Sequence, residues 1–513
     1  MNGAESLVAT ALAAGIDTCF ANPGTTELPL VQALDAVPGM KGVLCVHETV
    51  VTGAADGYAR MAGKPALTLL HLGPGFANGI ANLHNARRAR TPVVNLIGDH
   101  ARWHRAADAP LTSDIQALAG AVSGFVRESG SAASLAEDFA DVLAASISDG
   151  GQVATLIAAA DHQWGEGRGQ ARLREARGRA LVGDSAVDKA RAMLVAAGAK
   201  GVLFLGGAGL TERGLKAAAR IRAVTGCALF SETFFARMPR KPGLPVPTRL
   251  PYFPEMAMDA LAPFGALVLA GARDPVAFFG YPGLPSRLAD KVAQVETLAR
   301  PEADVVPALE ALADALKAPA FVAEAAVQRP GRPSGALTPL SLCQAIAACQ
   351  PEDCVVMDEG LTVSAVYDAV ARGVPAFDML MLTGGAIGMG PAGATGAALA
   401  VPGRKVINLQ ADGSGLYTAQ ALWTQARQGL DVVTVICSNR RYEILRVEIA
   451  RTGAAAGPIA RAMTDLGGVD WVSIARGYGV PARRAETAED LVAALDQAMA
   501  TPGPQLIEAV LND

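Results

Sequence analysis

The block spanning residues 406–439 constrains this chain most, because it reads as strand, helix and strand with a hard oxygen donor at the end of each strand. Residues 406–409 form a short apolar run, 419–428 a helical stretch and 432–437 a second apolar run. Two strands joined through a helix lie parallel, since only a crossover returns the chain to the same edge of the sheet. Asp412 and Asn439 then stand side by side at the carboxyl edge, where open α/β sheets bind ligands. Gly413 allows a tight turn, and Ser414 starts a helix whose free N–H groups and positive dipole end suit a diphosphate. One carboxylate, one amide oxygen and phosphate oxygens together suit Mg²⁺, a hard cation.

The block resembles the thiamine diphosphate motif, G-D-G-S followed at this distance by N-N, with Ala411 for the first Gly and Ser438 for the first Asn. The resemblance implies that Asp412, Asn439 and the backbone carbonyl of Arg441 hold the metal. It places Gly413, Ser414 and Tyr442 among the cofactor-binding residues. A second block, V-H-E-T-V at 46–50 followed by A-D-G-Y-A-R at 55–60, is similar to the H-E and A-D-G-Y-A-R segments of the decarboxylase and acetolactate synthase group. There a carboxyl group shares a proton with N1′ of the aminopyrimidine, so that the 4′-nitrogen becomes basic enough to deprotonate C2 of the thiazolium. Glu48 matches that residue; outside such a context a Glu at a helix start is only a good dipole partner. Segments 22–29, 71–79, 82–86 and 92–98 extend the match. With them, the chain resembles the pyruvate decarboxylase, benzoylformate decarboxylase and acetolactate synthase superfamily over nearly its whole length.

A chain of 513 residues suits three domains of roughly 150–200 residues each. Segment 163–179 is Gly/Arg-rich and 329–335 is rich in Pro and Gly, which sets expected domains at 1–180, 181–328 and 329–513. Short Val/Ile/Leu-rich strands alternate with Ala-rich helices throughout, so the expected fold is α/β with three doubly wound parallel-sheet domains. The resemblance names them pyrimidine-binding, central and diphosphate-binding. A net charge of −5 offers no footprint for nucleic acid. The seven cysteines are scattered without a C-x-x-C pair, as in reduced proteins. No charged leader and no membrane-length apolar run is seen, so a cytoplasmic enzyme with no membrane partner is expected.

In the central region, residues 202–210 read as a strand and glycine turn without G-x-G-x-x-G spacing. Acetolactate synthases bind FAD in this domain, but the R-F-D-D-R-type segment is represented only by G-A-R-D-P at 271–275, so FAD is not expected. An NAD(P)-dependent oxidoreductase built on Gly206 is the reading from another class. It predicts a ribose-binding acid about 20 residues on, and Arg220 to Ala223 offers none. Near the C-terminal end, residues 384–390 resemble the segment over which the cofactor folds into its V shape. The resemblance implies Ile387 as the wedge between the two rings and the Gly385 carbonyl as acceptor for the 4′-amino group, with Pro391 a departure.

These residues point to thiamine diphosphate- and Mg²⁺-dependent, non-oxidative decarboxylation of a 2-oxo acid, or carboligation of its product with an aldehyde or ketone. An acetolactate-synthase-like carboligase acting on pyruvate is the nearest alternative. His71 resembles the proton-shuttling histidine of benzoylformate decarboxylase, a task suited to imidazole. The second pocket histidine of that enzyme is missing at 278–281. Thr25, His100, Phe278, Phe279, Ile444 and Leu445 fall where the family places pocket residues and favour an apolar 2-oxo acid side chain. The resemblance also implies a homodimer or homotetramer with active sites shared between subunits.

Overall fold

The computed structural model describes residues 1–290, 292–323, 327–453 and 455–512. It forms two compact units: Met1–Arg177, Arg329–Val374 and Leu382–Asp513 make the first, and Gly178–Gln328 with Pro375–Met381 the second. Among the described residues there are three sheets, whose strands run parallel as expected except for one antiparallel pair.

The first sheet contains β1 (Thr18–Asn22), β2 (Lys41–Leu44), β3 (Ala66–His71), β4 (Val93–Asp99), β5 (Phe125–Glu128) and β6 (Val153–Ala159) in the order β2-β1-β3-β4-β6-β5. Its strands are apolar on both faces because helices cover both. Along β3, Leu67 and Leu69 enter one core while Ala66 and Leu70 enter the other; β4 divides Val94 and Leu96 from Val93 and Ile97 in the same way. Helix α1 (Glu48–Ala62) begins at His47, whose ring accepts the Thr49 N–H, and ends at Gly63 with φ +66°. Helix α2 (Leu72–Ala89) follows β3 directly.

In the second unit β7 (Gly201–Leu205), β8 (Ala228–Ser231), β10 (Thr248–Arg249), β11 (Ala266–Ala270) and β12 (Gln294–Ala299) form a parallel sheet in the order β10-β8-β7-β11-β12. Between β8 and β10 lies β9 (Arg237–Arg240), which pairs antiparallel with β14 (Phe377–Met381). An acid does approach the glycine turn after β7. Glu232, just beyond β8, was outside the stretch that the spacing rule searched, and it accepts the backbone N–H groups of Gly207 and Arg273. Burial pushes its carboxyl up to about 7.

The third sheet, in the first unit, orders β13 (Cys354–Glu359), β15 (Val406–Ala411), β16 (Val432–Ser438), β17 (Ala482–Ala485) and β18 (Gln505–Val510) as β17-β18-β16-β15-β13. Helix α3 (Gly390–Ala400) has Pro391 in its first turn, where a missing N–H costs nothing, so this departure leaves the backbone regular. Helices α1 and α3 meet with almost no side chain between them. A Cβ on Gly57 would stand 2.1 Å from the Gly393 carbonyl oxygen, and one on Gly396 would stand 1.8 Å from that of Ala54. The glycine of A-D-G-Y-A-R is therefore required by backbone contact. Its Asp56 and Arg60 form a buried ion pair at 2.6 Å, and Arg60 reaches Thr383 Oγ1 at 3.1 Å.

Candidate active site

Adjacent parallel strands β15 and β16 bring the two expected metal ligands together at one carboxyl edge. Asp412, Gly413, Ser414, Asn439, Arg441 and Tyr442 all line a single cavity there, joined by Ile444 and Leu361. Asp412 is buried; its Oδ1 accepts the Gly413 N–H at 2.8 Å and its Oδ2 the Arg440 N–H at 2.6 Å. Burial pushes the carboxyl above its ordinary value, partly opposed by those backbone donors, and among the described residues no cationic side chain is its partner. A buried carboxylate without a countercharge, beside the Asn439 amide, is a donor set that fits a hard divalent cation. Among the described residues no cluster of three or more His, Cys, Asp or Glu could hold a metal.

Local details differ from the expectation. The helix at this edge, α4 (Asp412–Gly415), starts at Asp412 rather than Ser414 and is only one turn long. Gly413 is helical; space rather than turn geometry demands glycine, because a Cβ there would meet the Tyr442 ring at 2.4 Å. Ala411 replaces the first Gly without strain, at φ −69° and ψ 143°. Ser438 faces away and donates to Glu508 at 3.2 Å. Arg440 carries the strain instead, at φ +58°, which aims its N–H at Asp412.

Glu48 is the first residue of α1 and is nearly buried. Its two carboxylate oxygens accept the side-chain amides of Asn22 and Asn78, each at 3.0 Å. Both asparagines come from the other N-terminal motif blocks. A carboxylate has about four acceptor positions, so these contacts fix its orientation and leave capacity for another partner.

The loop 384–390 is held from behind by α2. His84 Nε2 donates to the Gly384 carbonyl at 3.1 Å, Asn85 Nδ2 to that of Ala386 at 2.7 Å, and Asn82 Nδ2 to that of Gly388 at 3.4 Å. Among the described residues no donor reaches the Gly385 carbonyl, and Gly385 itself is exposed, at φ +78°. Ile387 is half-buried beside it.

His71 ends β3, and its Nδ1 lies 2.7 Å from Glu27 and 3.2 Å from Thr26 Oγ1. Glu27 is wholly buried and also accepts the Gly24 N–H at 2.8 Å. A carboxylate on Nδ1 holds the proton there and leaves Nε2 free to exchange one. Gly24 and Gly98 make this possible: Cβ atoms on them would stand 2.4 Å from the His71 ring and 1.9 Å from Glu27 Oε1. Leu72, directly after His71, has φ +50°. Thr25 is exposed in the same turn as Glu27, and His100 follows β4, whose Gly98 is paired with His71. Leu445 is exposed beside Ile444. Phe278 and Phe279 belong to the second unit, where Phe278 stacks with Phe234 and Tyr252 at ring separations of 5.4 and 4.9 Å. Glu27, Asn22, Asn78 and the α2 donors were not legible as site residues, because each acts on a group far off in sequence.

The ends of the chain match two family models: thiamine pyrophosphate enzyme, N-terminal TPP binding domain, over residues 1–119, and thiamine pyrophosphate enzyme, C-terminal TPP binding domain, over residues 371–509. Along its whole length the chain is 48% identical to the "Putative acetolactate synthase large subunit IlvX" of Mycobacterium tuberculosis, covering 99% of that protein. It is 30% identical to the benzoylformate decarboxylase of Pseudomonas aeruginosa over 96% of each chain. The solved structure of a Rhodococcus jostii RHA1 thiamine diphosphate-dependent 4-hydroxybenzoylformate decarboxylase superposes with a TM-score of 0.84 at 25% identity, over 100% of this chain and 99% of that one.

Proposed function

The chain belongs to the thiamine pyrophosphate (thiamine diphosphate) enzyme family, of the decarboxylase and acetolactate synthase type, and on that premise we propose that it uses thiamine diphosphate and Mg²⁺ to decarboxylate a 2-oxo acid. The product is released as an aldehyde or joined to a carbonyl acceptor. The observation that carries the reading is the cavity where Asp412, Ser414, Asn439 and Arg441 meet around an uncompensated buried carboxylate. The chemistry supplied by the bound cofactor is an electron sink for the pair left behind as CO₂ departs.

The residues divide the remaining work. Asp412, Asn439 and the Arg441 carbonyl hold the metal, with Gly413, Ser414 and Tyr442 around the diphosphate. Gly385 receives the 4′-amino group on a carbonyl without a competing donor, Ile387 sets the angle between the rings, and Glu48 exchanges a proton with N1′. Ile444 and Leu445 select an apolar substrate side chain, and we assign 181–328, the region that holds Phe278 and Phe279, as the central domain between 1–180 and 329–513. Thr25 and His100 border the same pocket. A screen of 2-oxo acids for CO₂ release, with aldehyde acceptors present and absent, tests the reading; release from none of them, by protein loaded with thiamine diphosphate and Mg²⁺, rules it out.

His71 moves protons at the reacting carbon, and Glu27 keeps its Nε2 available. His71→Ala is expected to lower turnover by ~10²–10⁴-fold with cofactor affinity retained. Glu27→Gln removes the partner of Nδ1, and the pH–rate profile should shift with it. Unchanged steady-state rates in both variants would return the pair to a structural role.

The same reading implies a site shared across a two-fold axis. As the family resemblance implies, Glu48 and the Asp412 edge of one chain serve different cofactors, and we infer a dimer or dimer of dimers. Mixing Glu48→Gln with Asp412→Ala subunits should restore activity in hybrids. Hybrids that assemble and stay inactive count against the shared site.

A further inference from the structure

Beneath the loop 384–390 lies Glu359, at the end of β13, facing two side-chain amide oxygens. Its Oε1 accepts the Gly388 N–H at 2.6 Å and its Oε2 accepts the Gly390 N–H. A Cβ on Gly390 would stand 1.9 Å from Gln410 Oε1 and 2.9 Å from both Asn408 Oδ1 and Glu359 Oε2, so three oxygens face one point. Both amide oxygens are buried without a hydrogen-bond partner. Reversed, the Gln410 amide would set its oxygen against the Ala411 carbonyl oxygen at 3.2 Å, two acceptors facing each other, and the Asn408 nitrogen would leave Thr434 Oγ1 at 3.5 Å.

Three facing acceptors repel, and two buried amide oxygens without donors are costly. Of the three side chains only the carboxyl can take up a proton. We propose that Glu359 is a protonated carboxylic acid, its O–H donated to the Asn408–Gln410 pair, and that it is the positioning residue for the loop presenting Gly385 and Ile387. Burial, the largest influence on this group, pushes its carboxyl up to about 7 against the pull of the Gly388 and Gly390 N–H groups and of the Gln410 and Ser414 side chains, and no cation is among these influences. A neutral acid can accept both N–H groups and donate once; a carboxylate can only accept. The loop is thereby fastened from below by Glu359 and from α2 by Asn82, His84 and Asn85.

The role assigned to the loop rests on the proposed function, whereas the protonation state does not. Glu359→Gln keeps the neutral charge and an NH₂ to donate to the Asn408–Gln410 pair, and it gives up one acceptor, so the Gly390 N–H loses its bond while the Gly388 N–H keeps its own. It is expected to retain cofactor affinity and the near-ultraviolet dichroism of the bound cofactor within about twofold of wild type and to slow C2 proton exchange by no more than about tenfold, the loss of one hydrogen bond. Glu359→Ala should slow C2 exchange by on the order of 10²-fold through misplacement of the loop. Infrared difference spectra of cofactor-free wild type minus Glu359→Gln at pH 6 should contain the C=O band of a protonated carboxyl. Absence of that band, or a Gln variant as impaired as the Ala variant, overturns the proposal, as does an Ala variant with unchanged exchange. If wild type bound no thiamine diphosphate, the proposed function would fail and the infrared band would still decide the state of Glu359.

Discussion

Glu48→Gln is expected to slow hydrogen–deuterium exchange at C2 of bound thiamine diphosphate by ~10²–10⁴-fold, the range typical for loss of a positioned proton-transfer group. The amide cannot share a proton with N1′, while it keeps the size of the side chain. Asn22 and Asn78 now donate to the two carboxylate oxygens. With an amide in place, one of them must face an NH₂, so a small loss of local order accompanies the loss of chemistry. Cofactor affinity measured by calorimetry should change far less than the exchange rate read by NMR. Exchange at the wild-type rate would remove Glu48 from cofactor activation, whatever happened to turnover.

Asp412→Ala should abolish Mg²⁺-dependent retention of the cofactor, by more than the ~10–100-fold that follows loss of an outer-shell partner at metal sites. The protein should remain folded. Burial raises the Asp412 carboxyl above its ordinary value. A raised acid contributes stability below its unfolded value and sheds it as pH rises through the folded one. Above that folded value the metal-free fold carries an unfavourable ionised group, and removing it offsets the loss of the bonds from Gly413 and Arg440. Thermal melts should show that Mg²⁺ with thiamine diphosphate stabilises wild type and leaves the variant unmoved. Equal stabilisation of both proteins would displace Asp412 from the metal.

The edge that brings Asp412 and Asn439 together was legible in the sequence because the two residues sit at the ends of neighbouring strands, where motif spacing and sheet geometry express the same constraint. Ala411, Ser438 and Pro391, the departures from the family pattern, prove harmless for reasons a motif does not carry. Ala411 occupies an ordinary extended conformation, Ser438 turns toward Glu508, and Pro391 opens a helix. The relation of Glu27 to His71 was not legible, since 44 positions separate them and only the packing of the turn after β1 against β3 joins them. Glu359 was hidden in the same way, 29 positions before the glycine it holds. The short helix at Asp412 was misjudged because its glycine serves the Tyr442 ring, a contact made through folding and invisible to local propensity.

The glycine contact between α1 and α3 bears on how the chain is made. Its two faces are separated by about 330 residues, so at ~5–20 residues per second the first waits on the order of 15–65 s for the second to be synthesised. During that interval a face of α1 lined by Gly53 and Gly57, next to buried Val50, Val51, Ala54 and Ala55, has no cover. The nascent N-terminal region is thus a natural client for a ribosome-associated holdase, and chain fragments ending before α3 should aggregate where the full chain does not.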